Sequence, residues 1–423
     1  MHCNDNTISR RSMLQGGMLA AGGALAAGMT GCLSRTTSGG KCVPDSTEGR
    51  ATVSIMDFGA RATLGRMDPK TFRYSDETDN APAIQRAIDS LPPFDEETGE
   101  GGGVVHVPRG SFVVAQTVYL KPGVVLRGEG FFSGPEAASQ FRLPAARWQD
   151  RAHPHPIVET RHPDGPQRAV PGVGIENLEI SAFPRELMYG VLLKDANTIG
   201  YPAFQEVLDE RASRMLNPGA ILCVWRGGPG SFMRNVNFVG GPGCNQTPWS
   251  ARYAVVIPPE CHAGPSVWDG LCFECCWRQV LMEHAHDIVM FSCSWGCFDA
   301  MNQPWLELKN CTGIVMHSAA AESPFHLVAE SSQAVVYGGW SGWAPDAPPL
   351  FELKNSDIAI HDFQVMNCER FIEDTWNGDT FKVAGPGGGH GKNDKTDYLA
   401  FYSGRGAVIP GGGKGTPRGF AAV

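Results

Sequence analysis

The chain has 423 residues, a formal net charge of −9 and 19% charged residues, with 52 Gly and 31 Pro. Its 42% apolar content, with 10 Trp and 21 Phe, excludes a disordered chain, and the lack of a Gly-X-Y period excludes collagen. An acidic balance argues against nucleic acid as a partner, because proteins that bind the phosphate backbone carry clustered basic residues. Low charge with many glycines and aromatic residues favours β architecture.

The N-terminal segment has the features of an export signal. Ser9-Arg10-Arg11-Ser12-Met13-Leu14 resembles a twin-arginine motif, and the Gly- and Ala-rich stretch 18–29 is shorter than the ~20 residues that span a bilayer. Met29-Thr30-Gly31-Cys32 resembles a bacterial lipobox, which would place a lipid on Cys32. We expect a signal peptide at 1–31, a flexible tether at 32–50, and a protein exported to the periplasm or cell surface with a lipid anchor in the membrane. The alternative is cleavage near residue 42, which releases the protein.

The first elements after residue 50 are a short strand and one helix. Residues 53–56 alternate like a strand, and Ile84, Ala87 and Ile88 form one apolar stripe of a helix that Thr78 or Asp79 can cap. From residue 101 the pattern changes to strands, at 104–108, 112–114 and 124–130. Residues 131–172, rich in Pro, Arg and His, read as a long loop, and residues 202–216 as an amphipathic helix.

Repetition dominates the second half of the chain. Segments 281–291, 306–317, 326–337 and 351–361 each combine an apolar strand, a polar turn and a second apolar strand. Anchored on Met290, Met316, Val336 and Ile360, they recur at spacings of 26, 20 and 24 residues, and weaker copies lie at 175–180 and 233–238. Strand-rich repeats of this length predict an all-β solenoid, a single-stranded parallel β-helix over 51–384 with the helix at 80–90 as its N-terminal cap. Residues 385–423 form a Gly-rich tail with one strand-like patch at 398–402.

The residues between 57 and 130 resemble the N-terminal signature of the pectate-lyase-like superfamily, in its rhamnogalacturonase/epimerase-type branch. The resemblance is carried by Asp57-Phe58-Gly59-Ala60, Thr78-Asp79-Asn80, Gly102-Gly103-Val104-Val105, Val107-Pro108-Arg109-Gly110 and the run from Val124 to Gly130. It implies a right-handed parallel β-helix and, most often, action on polysaccharides. The family's usual Gly-Asp-Gly is replaced by the residues 61–66, which lengthens a capping loop.

Two kinds of polysaccharide cleavage stay open at this point. Polygalacturonase-type hydrolases of this fold carry an Asp-Asp element and a Gly-His-Gly element on successive coils. Here there is no Asp-Asp pair, and the single Gly-His-Gly, at 389–391, lies beyond the last coil. A lyase would need a base that removes the proton α to a uronate carboxyl and a cation or Arg beside that carboxylate. Ca²⁺ would serve a lyase if oxygen ligands cluster.

The densest polar cluster is Glu283-His284-Ala285-His286-Asp287. The repeat alignment places His286 and Asp287 in the turn between two strands, where they can face a groove. The alternative is a solvated turn that happens to be polar. The candidate catalytic residues are Glu283, His284, His286, Asp287, Asp299 and Glu322.

Aromatic and basic residues supply candidate glycan contacts. Seven of the ten Trp lie between Trp249 and Trp343, and Trp faces stack on sugar rings. The substrate-binding candidates are Trp295 and Trp340, with Arg226 and Arg278 as carboxylate clamps. The alternatives are aromatic residues inside the coil and ordinary surface arginines.

The 13 cysteines favour buried small residues or one or two disulfides over zinc, so no metal site is predicted. The expected function is a lyase or glycoside hydrolase acting on a polysaccharide, which is the expected partner. The alternative is a non-catalytic glycan-binding or structural β-helix at the cell surface.

Overall fold

The computed structural model describes residues 49–62, 77–131, 138–144, 155–182, 220–240, 251–274, 276–296, 304–321, 325–341, 348–365, 370–377, 379–384, 398–403 and 407–410. The chain divides between Gly49 and Arg50 into two units, and every described residue except Gly49 belongs to the second. The predicted signal peptide, Cys32 and the 202–216 helix lie outside the described residues. Within the described ranges, no helix has the length and apolar character needed to cross a membrane.

The second unit is a parallel β-helix, as the repeats predict, and it is right-handed, as the resemblance implies. Among the described residues, the sixteen strands of the larger sheet are β1 (Thr52–Ser54), β2 (Gly103–Val107), β3 (Gly110–Val113), β5 (Val124–Gly128), β6 (Ser139–Arg142), β8 (Gly174–Ser181), β10 (Ser231–Val239), β12 (Ser266–Asp269), β13 (Cys272–Glu274), β15 (Ile288–Phe291), β16 (Ser294–Gly296), β18 (Ile314–Ala321), β20 (Gln333–Ser341), β22 (Asp357–Val365), β25 (Tyr398–Ser403) and β26 (Ala407–Pro410). The ten strands of the other sheet are β4 (Val118–Leu120), β7 (Val158–Thr160), β9 (Ile221–Val224), β11 (Tyr253–Ile257), β14 (Arg278–Glu283), β17 (Leu306–Lys309), β19 (Leu327–Glu330), β21 (Phe351–Lys354), β23 (Arg370–Trp376) and β24 (Asp379–Ala384).

Each coil has three faces. The ten-stranded sheet is the first face. The larger sheet is divided by a row of residues with left-handed backbone conformation into a second face, which runs up to that row, and a third face beyond it. The row consists of Asn177, Asn235, Gly270, Ser292, Ser318 and Gly338. The chain passes from the first face to the second and then to the third, and returns to the first face of the next coil.

The core is built from columns of residues in direct register on neighbouring coils. The inward column of the second face is Val105, Leu126, Ile175, Met233, Trp268, Met290, Met316, Val336 and Ile360. All nine side chains are buried, and burial of each contributes about 1.5–3 kcal/mol relative to exposure. The four anchors of the sequence repeats and the two weaker copies therefore lie in register, as predicted.

A helix closes the N-terminal end of the core, as expected. Helix α1 (Ala81–Ser90) buries Ile84, Ala87 and Ile88, and the Asp79 carboxylate accepts a hydrogen bond from the Ala81 backbone N–H at 3.0 Å. That carboxylate also accepts the Ala115 N–H at 2.8 Å, which ties the helix start to the first coils. The 53–56 strand prediction is only partly right, because a 3₁₀ helix (Ile55–Phe58) begins directly after β1.

The long loop expected at 131–172 is wrong in part. Strands β6 and β7 lie within this segment and pair with the coils on either side. The outward residues of β6, Gln140 and Arg142, are polar but buried, so the segment lacks the apolar alternation that a strand with one solvated face would show.

The C-terminal end of the coil stack is antiparallel. Strand β24 folds back on β23, and β25 and β26 follow β22, all in antiparallel pairing. The strand-like patch at 398–402 is therefore a strand of the larger sheet.

The described cysteines are free thiols. Cys223, Cys261, Cys276, Cys293 and Cys311 are buried, and Cys272 is half-exposed. The interpretation as small buried residues between coils holds for the first five. Burial raises the pKa of Cys261 to about 11 and that of Cys293 to about 12.

Candidate functional site

His284 occupies a structural position in the corner between the first and second faces. Its backbone is left-handed (φ 57°), as are those of Asn310 and Asn355 in the following coils. The His284 Nδ1 lies 2.9 Å from the Pro259 carbonyl oxygen, and the Asn310 amide lies 3.2 Å from Nε2. Because a carbonyl only accepts, Nδ1 carries the proton and Nε2 accepts from Asn310. Both ring nitrogens of His284 are thus engaged with neighbouring coils.

Glu283 is the first member of a charged ladder on the first face. Its carboxylate lies 3.3 Å from Lys309 Nζ, and Glu330 lies 2.7 Å from Lys354 Nζ two coils further on. The hydrogen bond from Lys354 lowers the pKa of Glu330. Alternating charges in one outward column offset the repulsion that like charges would cause between coils.

His286 and Asp287 form a pair at the start of the second face. His286 Nδ1 lies 3.1 Å from Asp287 Oδ2, and the Asp287 side chain is 67% exposed. A carboxylate at Nδ1 fixes the imidazole tautomer and leaves Nε2 able to accept a proton. Of the predicted cluster, the structure brings His286 and Asp287 within hydrogen-bond distance, whereas Asp299 and Glu322 lie outside the described residues.

Arg226 and Arg278 lie in different ion-pair clusters on the first face. Arg226 is buried and contacts Glu159 at 2.6 Å and Glu260 at 2.9 Å. Arg278 contacts both carboxylate oxygens of Glu307 at 3.1 Å. These contacts place each guanidinium on a protein carboxylate instead of in an open groove.

Tyr253 completes the Arg278 cluster. Arg278 Nη1 lies 3.3 Å from the Tyr253 hydroxyl, which in turn lies 3.3 Å from Glu307. Burial, together with the Glu307 charge, raises the pKa of Tyr253. Burial disfavours the Arg278 cation, but the Tyr253 hydrogen bond and the Glu307 charge outweigh it and raise the pKa of Arg278.

The two tryptophan candidates lie on opposite sides of the third-face backbone. Trp295 faces inward with 0% exposure, between Phe273 at 4.5 Å and Phe325 at 5.9 Å between ring centroids. The expectation that Trp295 contacts a glycan is wrong, because alternation along β16 directs it into the core. Trp340 is half-buried and lies in the outward column, in register with Ala320.

The second face carries an outward stack of four rings that the sequence interpretation missed. Phe291, His317, Tyr337 and His361 are in direct register on consecutive coils. Their ring centroids are 5.1, 5.1 and 4.8 Å apart, with interplanar angles of 8°, 11° and 14°. Phe291 and Tyr337 are 39% and 42% exposed. We call these four residues the ring ladder.

An apolar strip runs beside the ring ladder. Two residues earlier on each strand, the outward positions are Val267, Val289, Val315, Val335 and Ala359. The exposed Gln333 and Asp357 lie a further two residues back, on the side of the Asp287 carboxylate. The second face thus combines an apolar strip with polar groups along both of its edges.

The signal for the ring ladder is present in the sequence. Each ring residue directly follows one of the repeat anchors Met290, Met316, Val336 and Ile360. Because alternate residues of a strand face opposite sides, the residue after an inward anchor faces outward. Aligning the position after the anchors would have found four rings in one column.

Among the described residues, no group of three or more His, Cys, Asp or Glu side chains is placed to hold a metal ion. The outward groups of the second face are instead arranged for hydrogen bonding and apolar contact.

Comparisons with known proteins give distant structural likenesses. No family model matches the sequence, and no curated protein matches it significantly. The chain is similar to the DFA-IIIase of Arthrobacter chlorophenolicus A6 (TM-score 0.45, 12% identity, 73% of this chain and 67% of that chain). It is also similar to PfbA, a surface adhesin of Streptococcus pneumoniae (TM-score 0.37, 12% identity, 79% and 96%).

A third similar structure is the family 28 exopolygalacturonase of Yersinia enterocolitica (TM-score 0.33, 13% identity, 73% of this chain). This chain spans 66% of that enzyme's length. These three structures are two enzymes and one adhesin, and their TM-scores do not distinguish a catalytic from a binding role for this chain.

Proposed function

We propose that this protein is a carbohydrate-active β-helix protein that binds a polysaccharide along its second face. The observation that carries the proposal is the ring ladder, one outward ring per coil in unbroken register over four coils. A polysaccharide is itself a repeating chain, and a ligand that runs along the coil stack meets the same type of contact at every coil.

The chemistry of the second face suits a sugar chain. The faces of the four rings are stacked on one another, so the ladder presents ring edges, with the imidazole nitrogens and the Tyr337 hydroxyl among them. Ring edges carry partial positive charge and face the oxygen atoms of a sugar favourably. The apolar strip offers contact to the C–H groups of a sugar, and Gln333 and Asp357 can form hydrogen bonds with its hydroxyl groups.

Affinity electrophoresis tests this proposal. The protein is run through gels that contain pectic, alginate-like or neutral polysaccharides, and Tyr337→Ala and Phe291→Ala are compared with wild type. We expect retardation in at least one polysaccharide and about a tenfold loss of affinity in both variants, since each ladder contact supplies about 1.4 kcal/mol in that case.

Tyr119→Ala is the matched control. Tyr119 is an exposed tyrosine on the first face, with Arg161 over its ring, and its removal should leave retardation unchanged. Wild-type retardation of the Tyr337 and Phe291 variants, or loss in all three alike, would contradict binding along the second face.

Hydrolysis of the bound chain is a second candidate function, favoured by the His286–Asp287 pair at the edge of the same face. The Nε2 atom of His286 would accept a proton from water, as a general base does. New reducing ends from wild type and not from His286→Ala would support hydrolysis, with His262→Ala, an exposed neighbouring histidine, as control. Unsaturated products, with or without dependence on Ca²⁺, would instead identify a lyase, and binding without either product a non-catalytic glycan-binding protein.

Export and anchoring are part of the proposal. The twin arginine at 10–11, the uncharged stretch after it and Cys32 support a lipid-anchored protein at the periplasmic or cell surface. Replacing both arginines with lysine should retain the protein in the cytoplasm of a bacterial host. Replacing Cys32 with Ala should release the protein from the membrane fraction. Unchanged fractionation of both variants would contradict export and lipid anchoring.

A further inference from the structure

The outward column that contains the ring ladder is charged on the earlier coils. Its members there are Arg127, Glu176, Arg234 and Asp269, each in direct register with the next. Asp269, the last residue of β12, is in register with Phe291, the first ring of the ladder. Neighbouring strands lie about 4.8 Å apart, so Asp269 is one strand spacing from the ladder. The ladder therefore has a carboxylate at its N-terminal end.

The two arginines of this column are held by another carboxylate. Arg127 and Arg234 both contact Glu176, Arg234 at 3.8 Å. The Arg234 guanidinium also lies over the Phe232 ring, 5.3 Å from its centroid. Within the described part of the chain, the Asp269 side chain has no ion pair or hydrogen bond, so no neighbouring cation offsets its charge.

Two more carboxylates lie along the opposite edge of the second face. Asp287 is 67% exposed and Asp357 is exposed, and each precedes a ladder residue of its own strand by four positions. At about 3.3 Å per residue this places them roughly 13 Å from the rings, with the apolar strip in between. A chain that covers both the strip and the ladder comes within about a Debye length, ~10 Å at 0.1 M salt, of these two charges.

The second face supplies no lysine or arginine to offset these three carboxylates. On the coils that carry Asp269 and the ladder, the face consists of residues 264–269, 286–291, 312–317, 332–337 and 356–361, which are all described and include no Lys or Arg. Lys309 and Lys354 lie on the first face, where they pair with Glu283 and Glu330. The surface around the ladder is therefore negatively charged when its histidines are neutral.

We propose that the polysaccharide bound by the second face is an uncharged one, and that Asp269, Asp287 and Asp357 select against chains that contain uronates. The inference rests on the proposed binding along that face. Hydroxyl groups of a neutral sugar can donate hydrogen bonds to the three carboxylates. The carboxylates of a polyuronate meet charges of the same sign there, with no lysine or arginine between them.

Binding to matched polymers tests the selection. Neutral polysaccharides (a glucan, a mannan and a galactan) and the same polymers with their C6 hydroxyl groups oxidised to carboxylates are immobilised for biolayer interferometry. The buffer has about pH 8, where imidazole groups are mostly uncharged. We expect at least one neutral polymer to bind, and its oxidised form to bind about tenfold more weakly in low salt.

Salt gives a second reading of the same experiment. Because the Debye length falls to ~3 Å at about 1 M salt, added salt should strengthen binding of the oxidised polymer and narrow the difference. Equal or tighter binding of the oxidised polymer in low salt, or a weakening of its binding by added salt, would overturn the proposal.

Asp269→Asn locates the charge. The amide still forms hydrogen bonds but removes the charge in register with the first ring, so the oxidised polymer should gain roughly threefold in affinity relative to the neutral one. Glu97→Gln is the matched control, because Glu97 is exposed between helix α1 and β2 and its replacement changes the net charge equally. If both variants change the ratio alike, the net charge of the protein governs selection and the second face does not.

Tyr337→Ala distinguishes failure of this proposal from failure of binding along the second face. If oxidised polymers bind more tightly than neutral ones and Tyr337→Ala abolishes that binding, the ladder binds a polysaccharide but the selection is wrong. If Tyr337→Ala changes the binding of no polymer, binding along the second face is wrong, and the selection by its carboxylates is wrong with it.

Discussion

Some charged side chains that point outward from the first face are nevertheless buried. Glu307 is only 8% exposed on its side chain, and Arg278 and Tyr253 supply its hydrogen bonds. A buried carboxylate without its partner suffers the full loss of hydration, whereas a paired one does not. The cluster is therefore sensitive to removal of one member and tolerant of removal of both charges.

Arg278→Met should destabilise the protein by about 2 kcal/mol, less than a fully buried pair because water reaches Arg278. The double variant Arg278→Met/Glu307→Leu should recover most of this loss, since no charge then stays buried. Urea unfolding of both proteins measures the difference. Arg234→Met is the control, because Arg234 is half-exposed and 3.8 Å from Glu176; equal losses in Arg278→Met and the double variant would contradict the argument.

Thiol reactivity should follow burial residue by residue. Burial raises the pKa of Cys261 and Cys293 to about 11 and about 12, so little thiolate forms at pH 8. Cys272 is half-exposed. Iodoacetamide at pH 8, followed by peptide mass spectrometry, should label Cys272 first and the other two only after denaturation. Labelling of Cys293 in the native protein as fast as Cys272 would contradict the burial.

The corner between the first and second faces depends on residues that accept a left-handed backbone. Asn310, Ser331 and Asn355 have φ between 47° and 52°, one per coil. Asparagine adopts this conformation more readily than most residues and can hydrogen-bond the next coil. The side chain of Asn355 accepts the Asn377 backbone N–H at 3.0 Å.

Asn355→Ala should destabilise the coil by about 1–2 kcal/mol. Alanine is strained in the left-handed conformation, and its side chain cannot accept the Asn377 backbone N–H. Asn355→Gly removes the strain and loses only the hydrogen bond, so it should cost less. Thermal or urea unfolding of the two variants gives the comparison. If glycine destabilises as much as alanine, backbone strain does not govern this corner.

The repeats predict the coil register because inward positions of stacked coils must match in size and polarity. The register is seen directly at Met290, Met316, Val336 and Ile360. The apolar stripe of Ile84, Ala87 and Ile88 likewise predicts the buried face of the capping helix. Strands with buried polar outward residues, such as β6, escape the same reasoning, since their alternation is hidden. The sequence pattern therefore predicts a loop where the strands 139–142 and 158–160 lie.

The site was harder to predict than the fold. Local sequence density pointed to Glu283–Asp287, but His284 and Glu283 serve the contacts between coils. The ring ladder is assembled from single residues 20 or more positions apart, so it becomes visible only when columns are compared across repeats. The direction of a side chain along a strand also decides whether it reaches the surface, as buried Trp295 and half-buried Trp340 show.

At each end of the coil stack, the terminal strand has no further coil to pair with, so its backbone N–H and C=O groups must be covered in another way. At the C-terminal end, β22 has nine residues, and β25 and β26 pair against it and one another in antiparallel fashion. The outermost strand β26 is only four residues long and ends in Pro410. Short edge strands with proline resist pairing with other chains.

Truncation after residue 384 should therefore convert the protein into an aggregating species. The change removes β25 and β26 and leaves the edge of β22 unpaired, a long template for strand addition. Size-exclusion chromatography with light scattering should show dimers or larger assemblies, while truncation after Pro410, which retains both strands, should elute like the full chain. If the two truncations elute alike, the antiparallel strands do not protect the end of the coil stack, and other parts of the chain must cover β22.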